Sequence, residues 1–97
     1  MAELRLTWDQ RKADANVTKH GVSFEEAQWV FYDEHALVTQ DPNHSEEEDR
    51  FLLLGLSSAL RILMVVYCEP SDDAIRIISA RKATKAEQRQ YLERLKK

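Results

Sequence analysis

The chain is poor in the residues from which cofactor-dependent and secreted proteins are usually built. It holds one cysteine, Cys68, so it can form neither an intramolecular disulfide nor a cysteine-based zinc site, and a reducing compartment is its expected home. Two glycines and two prolines leave few residues for loops and exclude a long-loop barrel enzyme. With glycine only at Gly21 and Gly55, there is no glycine-rich loop to cradle nucleotide phosphates. No serine sits in a nucleophile elbow. The longest apolar run, Ile62–Cys68, falls far short of the roughly 20 residues a membrane span needs. The opening MAELRLTWDQ lacks the apolar stretch of a signal peptide. A small cytoplasmic protein with no membrane partner is expected. Its 97 residues, 43% hydrophobic and 32% charged, suit one globular domain over 1–97.

Charge is unevenly placed along the chain. Residues 23–49 carry nine acidic and no basic side chains, whereas residues 76–97 carry eight basic and two acidic ones. The acidic middle opposes broad coating by a polyanion. The basic C-terminal segment could grip a few phosphates, or could be a solvated helix enriched in Lys and Arg toward its end.

Periodicity sets out the elements. Leu4–Thr7 alternates as a short strand. Asp9 is placed to cap a helix running to about His20, with Gly21 as its stop. Ser23 and Glu26 read as a capping box opening a second helix with Phe24, Ala27, Val30 and Phe31 buried, ending near Asp33. Ala36–Gln40 is a weak strand, and Asp41–Asp49 an acidic turn or loop. Phe51–Leu56, Arg61–Cys68 and Ala74–Ala80 follow as an antiparallel meander. Thr84 and Glu87 form a capping box for a last helix with Gln88, Tyr91, Leu92 and Leu95 on one face. The predicted class is α+β, a small antiparallel sheet flanked by helices in the order β-α-α-β-β-β-β-α.

His20, His35 and His44 lie in different elements without metal-ligand spacing, so neither metal nor cofactor is expected. Metal-free acid–base chemistry on a phosphodiester is the chemistry still open to this chain. Cleavage of RNA through its own 2′-hydroxyl needs a base, an acid and cations on the developing phosphorane charge. His20, His44 and Glu69 are of the right type for proton transfer, and Lys19, Arg50, Arg61, Arg76 and Arg81 for phosphate. Each also has a structural reading. Arg76 could pair a carboxylate on an open sheet face, His20 could pack against Trp8, and Tyr91 could be core rather than a base-stacking platform.

Several blocks resemble the BrnT toxin family. They are Trp8-Asp9, Lys12-Ala13, Asn16 and Lys19 to Ala27, then His44-Ser45, Glu48-Asp49-Arg50 and Gly55, and finally Ile75 to Arg81 with Lys82-Ala83 and Glu87. The Lys-His-Gly and Ile-Ile-Ser-Ala-Arg blocks are specific in combination. The resemblance implies a RelE-like fold and a metal-independent ribonuclease that arrests translation. It also implies a BrnA-type ribbon-helix-helix antitoxin as partner, joined in a heterotetramer that reaches DNA only through the antitoxin. On that basis Lys19, His20, Arg50, Arg61, Arg76 and Arg81 are the expected site residues, all six placed on one face. Two departures stand out. Leu60 occupies the place before Arg61 where the family tends to have glycine, and Glu69-Pro70-Ser71 replaces a basic residue many members carry there. A catalytically weak binding module acting through a DNA-binding partner is the alternative. The acidic stretch 23–49 is expected to face away from RNA or to meet a basic antitoxin.

Overall fold

The computed structural model describes residues 5–41 and 49–96. Leu4, at the start of the first expected strand, and His44 with the rest of 42–48, in the acidic turn, lie outside the described residues. Strand β1 (Arg5–Thr7) leads into helix α1 (Gln10–His20), one turn of helix α2 (Phe24–Ala27) and a 3₁₀ turn (Gln28–Tyr32). Strands β2 (Leu37–Gln40), β3 (Arg50–Leu56), β4 (Ile62–Ser71) and β5 (Ala74–Lys82) follow, and helix α3 (Lys85–Leu95) closes the chain. The class and order are those read from the sequence.

Local chemistry accounts for the boundaries. Asp9 accepts a hydrogen bond from the Arg11 amide at 2.8 Å, and Gly21 ends α1 at φ 69°, a left-handed conformation glycine adopts without cost. The Thr84–Glu87 capping box is complete in both directions. At Ser23 only half of the expected box forms. The hydroxyl takes the Glu26 amide at 3.0 Å, but the Glu26 carboxylate turns to Arg61 and Ser57 instead. The second helix also differs from expectation, tightening to 3₁₀ geometry after Ala27.

The five strands form one sheet in the order β1-β5-β4-β3-β2. The meander is antiparallel, with Leu37, Leu54, Met64 and Arg81 aligned across four strands. β1 departs from the all-antiparallel expectation by adding to the far edge parallel to β5, Thr7 beside Arg76. Between Val66 and Tyr67 the β4–β5 register slips: Val66 faces Ser79, Tyr67 faces Ile77, and Ile78 is the extra residue of a bulge. That slip sets which side chains share a face. Ile75, Ile77 and Ala80 enter one core, while Arg76, Ser79 and Arg81 lie on the reverse face.

α1, α2 and the 3₁₀ turn cover the first face. Phe24, Leu63, Ile77, Val22, Val30 and Val65 are its largest fully buried side chains, each worth about 1.5–3 kcal/mol in transfer from water. Asn16 fastens α1 to this face: its amide donates to the carbonyls of Val22 and Ala80, both at 2.8 Å, and its oxygen accepts from the Ala80 amide at 3.1 Å. Gly55 lets the 3₁₀ turn lie against β3, since a Cβ there would meet Asp33 Oδ2 and Val30 Cγ1 at 2.9 Å each. On the second face α3 covers a smaller cluster of Leu54, Met64, Ala83 and Tyr91.

Candidate functional site: two groups of basic residues

The strand directions divide the six expected site residues between two ends of the sheet. Arg50 opens β3 and Arg76 lies near the start of β5. Both align with Cys68 of the strand between them, so their backbones stand about 10 Å apart. Arg61 precedes β4 and Arg81 lies near the end of β5, at the opposite end. About 15 Å of strand separates Arg76 from Arg81. Lys19 and His20 join this second end as the last residues of α1. The Arg61 guanidinium donates from Nη2 to the carbonyl of Gly21 at 3.2 Å, one residue beyond His20. The six do not share one face: Arg50, Arg76 and Arg81 project from the second face, and Lys19, His20 and Arg61 belong to the first.

Both arginines at the α1 end are held by carboxylates. Arg61 reaches Glu26 through Nε at 3.0 Å and through Nη2. The buried Ser57 hydroxyl donates to the same carboxylate and receives the Arg61 amide at 3.3 Å. The Arg61 guanidinium holds Glu26 below the usual carboxylate range. Burial opposes that effect, and the Ser57 hydroxyl and the nearby charge of Lys82 reinforce it. Arg81 makes the planar two-bond pairing with Glu87, Nη1 to Oε1 at 2.8 Å and Nη2 to Oε2 at 3.0 Å. This depresses Glu87 to about 2 against the opposition of burial, with help from the Thr84 amide. Glu26 and Glu87 raise the pKa of their arginines in turn. Neither arginine is hidden, their side chains remaining 33% and 40% exposed. Each is a fixed fork of N–H donors at the surface.

Exposed Lys19 and Lys82 flank these pairs. A groove of about 340 Å³ runs past Arg61, Ile62, Lys82 and Gln88. With the two arginines paired to carboxylates, exposed Lys82, whose charge acts on Glu26, adds positive charge here. Among the described residues, half-buried His20 is the imidazole at this end, a side chain of a type suited to proton transfer. Trp8, considered as its packing partner, stands edge-on to Phe24 at 5.9 Å. Tyr91, considered as a stacking platform, is core: its hydroxyl donates to Asp33 Oδ2 at 2.6 Å. Glu69 is exposed at the far end of β4, with Arg50 and Arg76.

Four residues that matter here were not singled out as site residues by the sequence. Glu26 and Glu87 were read as capping residues, although each also sets a guanidinium. Asn16 was read as one of a helix stripe, and a carboxamide among apolar positions was the available signal that it bonds across the core. Leu60 stands at φ 60°, a conformation that glycine adopts without strain and leucine does not.

A compact α+β domain with guanidiniums and a histidine at one end of its sheet has parts suited to a small protein that acts on a phosphodiester. The family model "Ribonuclease toxin, BrnT, of type II toxin-antitoxin system" matches residues 8–87, and the chain belongs to that family. A similar fold is seen in the 1.1 Å crystal structure of the Brucella abortus ribonuclease toxin, BrnT. The match has a TM-score of 0.62 and 23% identity and covers 84% of this chain and 99% of that one. No curated protein sequence matches the chain.

Proposed function

We propose that the chain is an endoribonuclease toxin that cuts RNA without a metal and arrests translation in the cytoplasm, and that an antitoxin of the BrnA type neutralises it. The observation that carries this reading is the meeting of the α1 C-terminus with the Arg61 and Arg81 end of the sheet. There His20 moves the proton. Arg61, fixed by Glu26 on the face of His20, presents donors to the phosphorane oxygens. Arg81, fixed by Glu87, reaches RNA phosphate at the same end of the sheet from the opposite face, and Lys19 and Lys82 draw the polyanion in. Arg50 and Arg76, about 15 Å away along the sheet, track the RNA backbone and hold it in register. Prepositioned donors cost no reorganisation at the moment of reaction, and that is what Glu26 and Glu87 provide.

The pairing of Arg61 and Arg81 with carboxylates also favours a second reading, a binding module that no longer cuts RNA. Growth separates the two. Induction of the chain alone should arrest growth and bulk translation in a bacterial host. An Arg76→Ala/Arg81→Ala variant with an unchanged circular dichroism spectrum should not. A soluble, well-expressed parent that leaves growth unaffected selects the binding module.

A further inference from the structure

Trp29 and Tyr32 take no part in the arginine pairs, although Ser57 borders both their cleft and the Arg61–Glu26 pair. They are three residues apart in the 3₁₀ turn, so they project from the same side. Their rings are tilted together at 5.6 Å, and they remain 52% and 61% exposed. The opposite side of the turn buries Val30 in the core, so core packing does not account for this pair. The rings border a cleft of about 290 Å³ whose other walls are Asp33, Leu56, Ser57 and Ser58. Across the Ser57–Leu60 turn, Leu60 is 78% exposed at φ 60°. A bulky residue in the left-handed region is strained where glycine would be free, yet its side chain is left in water.

The cleft has an acidic wall and acidic neighbours, and Arg61 and Arg94 nearby are engaged with Glu26 and with the His35 carbonyl. Burial works to raise the Asp33 pKa, but the Tyr91 hydroxyl and the Leu56 and His35 amides outweigh it and hold the group below the usual range. Asp33 is thus a permanent anion in the cleft wall. Exposed Glu25 lies one turn before Trp29, and exposed Glu34 follows Asp33. From 23 to 49 the chain has no lysine or arginine. Exposed aromatic rings with carboxylates in the same wall and beside it suit a guanidinium or ammonium with an aliphatic stem. RNA could stack on the rings, but its phosphates would meet carboxylates here.

We propose that the Trp29–Tyr32 cleft is the docking site for the antitoxin, receiving an arginine or lysine side chain from a cationic, amphipathic segment of that partner, with Leu60 as an apolar contact beside it. This deepens the toxin reading and rests on it for the existence of the partner. Aromatic anchors at the centre of an interface carry much of its energy.

The test measures binding and neutralisation separately. Purified chain is titrated with its cognate antitoxin, and each variant is also induced with and without the antitoxin. Trp29→Ala/Tyr32→Ala should bind about 30-fold more weakly or worse. Its fold should be intact, because both side chains are half-exposed. It should still arrest growth alone and no longer be rescued by the antitoxin. Glu25→Lys/Glu34→Lys should weaken binding about tenfold and reduce its salt dependence. Unchanged antitoxin affinity in the aromatic double variant overturns the proposal. So does a variant that keeps the antitoxin but loses RNA cleavage, which would give the cleft to RNA, and so does a parent that binds no antitoxin. A parent that binds the antitoxin through these residues yet cuts no RNA supports the docking site and defeats only the nuclease reading.

Discussion

The two faces of the sheet are held by unlike means. On the first, a wide apolar core of α1, α2 and three strands surrounds Asn16, two of whose hydrogen bonds tie the helix to Ala80 of β5 and a third to the Val22 carbonyl. On the second, α3 covers a small cluster and is pinned by discrete polar contacts. These are Tyr91 to Asp33 at 2.6 Å, Arg94 Nε to the His35 carbonyl at 3.1 Å, and Arg81 to Glu87. One helix is thus placed mainly by packing and the other mainly by its bonds. A basic residue at the end of the sheet accompanies each helix: His20 closes α1, and Arg81 is held by Glu87 of α3.

The largest effect should come from breaking the first face. Asn16→Ala removes partners from the Val22 and Ala80 carbonyls and the Ala80 amide in a dry core. We expect a loss of about 2–4 kcal/mol of stability, read as a lower urea midpoint with an unchanged slope. A loss below about 0.5 kcal/mol would show that α1 is held by apolar packing alone.

Tyr91→Phe sharpens the contrast on the second face. It takes away a hydrogen bond to an ionised carboxylate and should cost about 1.5–3 kcal/mol, with hydrogen exchange quickening in α3 before α1. Burial and the Asp33 carboxylate push the Tyr91 hydroxyl up to about 12. Its contribution is therefore complete below the ordinary tyrosine value of 10 and disappears as the pH rises from there through 12. Phenylalanine should remove that alkaline slope.

The smallest effect belongs to Glu87→Gln. With its pKa lowered to about 2 from 4.5, Glu87 stabilises the fold above pH 4.5, and that contribution fades as the pH falls through 2. After solvent screening of a partly exposed pair, about 1 kcal/mol should be lost at neutral pH. The acid limb of a stability–pH profile should flatten between 4.5 and 2. An unchanged acid limb would mean that Arg81 is not held by this carboxylate in solution.

Much of this architecture is legible in the residues. Asp9, Gly21, Thr84 and Glu87 mark helix ends because capping is local chemistry, and the apolar runs mark the meander. What pairs at long range is not written locally. Nothing in Arg5–Thr7 says that its neighbour is β5, or that the pairing is parallel. Ser23 and Glu26 have the spacing of a capping box, yet a guanidinium 35 residues away outcompetes one backbone amide for the carboxylate. The Ile78 bulge, invisible in an apolar run, decides that Ala80 faces the core and Arg81 the opposite side. The candidate residues were recognisable by type, but their division between two ends of the sheet depends on strand direction.

The central claim is that the end bearing His20, Arg61 and Arg81 does the chemistry while Arg50 and Arg76 only hold the RNA. The direct measurement is single-turnover cleavage of a defined RNA by the purified chain in EDTA, comparing folded His20→Ala and Arg81→Ala variants with Arg50→Ala/Arg76→Ala. Rates at saturating RNA should fall about 10²–10³ for Arg81→Ala, with a comparable loss for His20→Ala. The Arg50/Arg76 variant should cut at nearly the parent rate once RNA saturates, with weaker binding and a shallower salt dependence. Undiminished cleavage by the folded His20 and Arg81 variants, with the loss falling on Arg50 and Arg76, would contradict it.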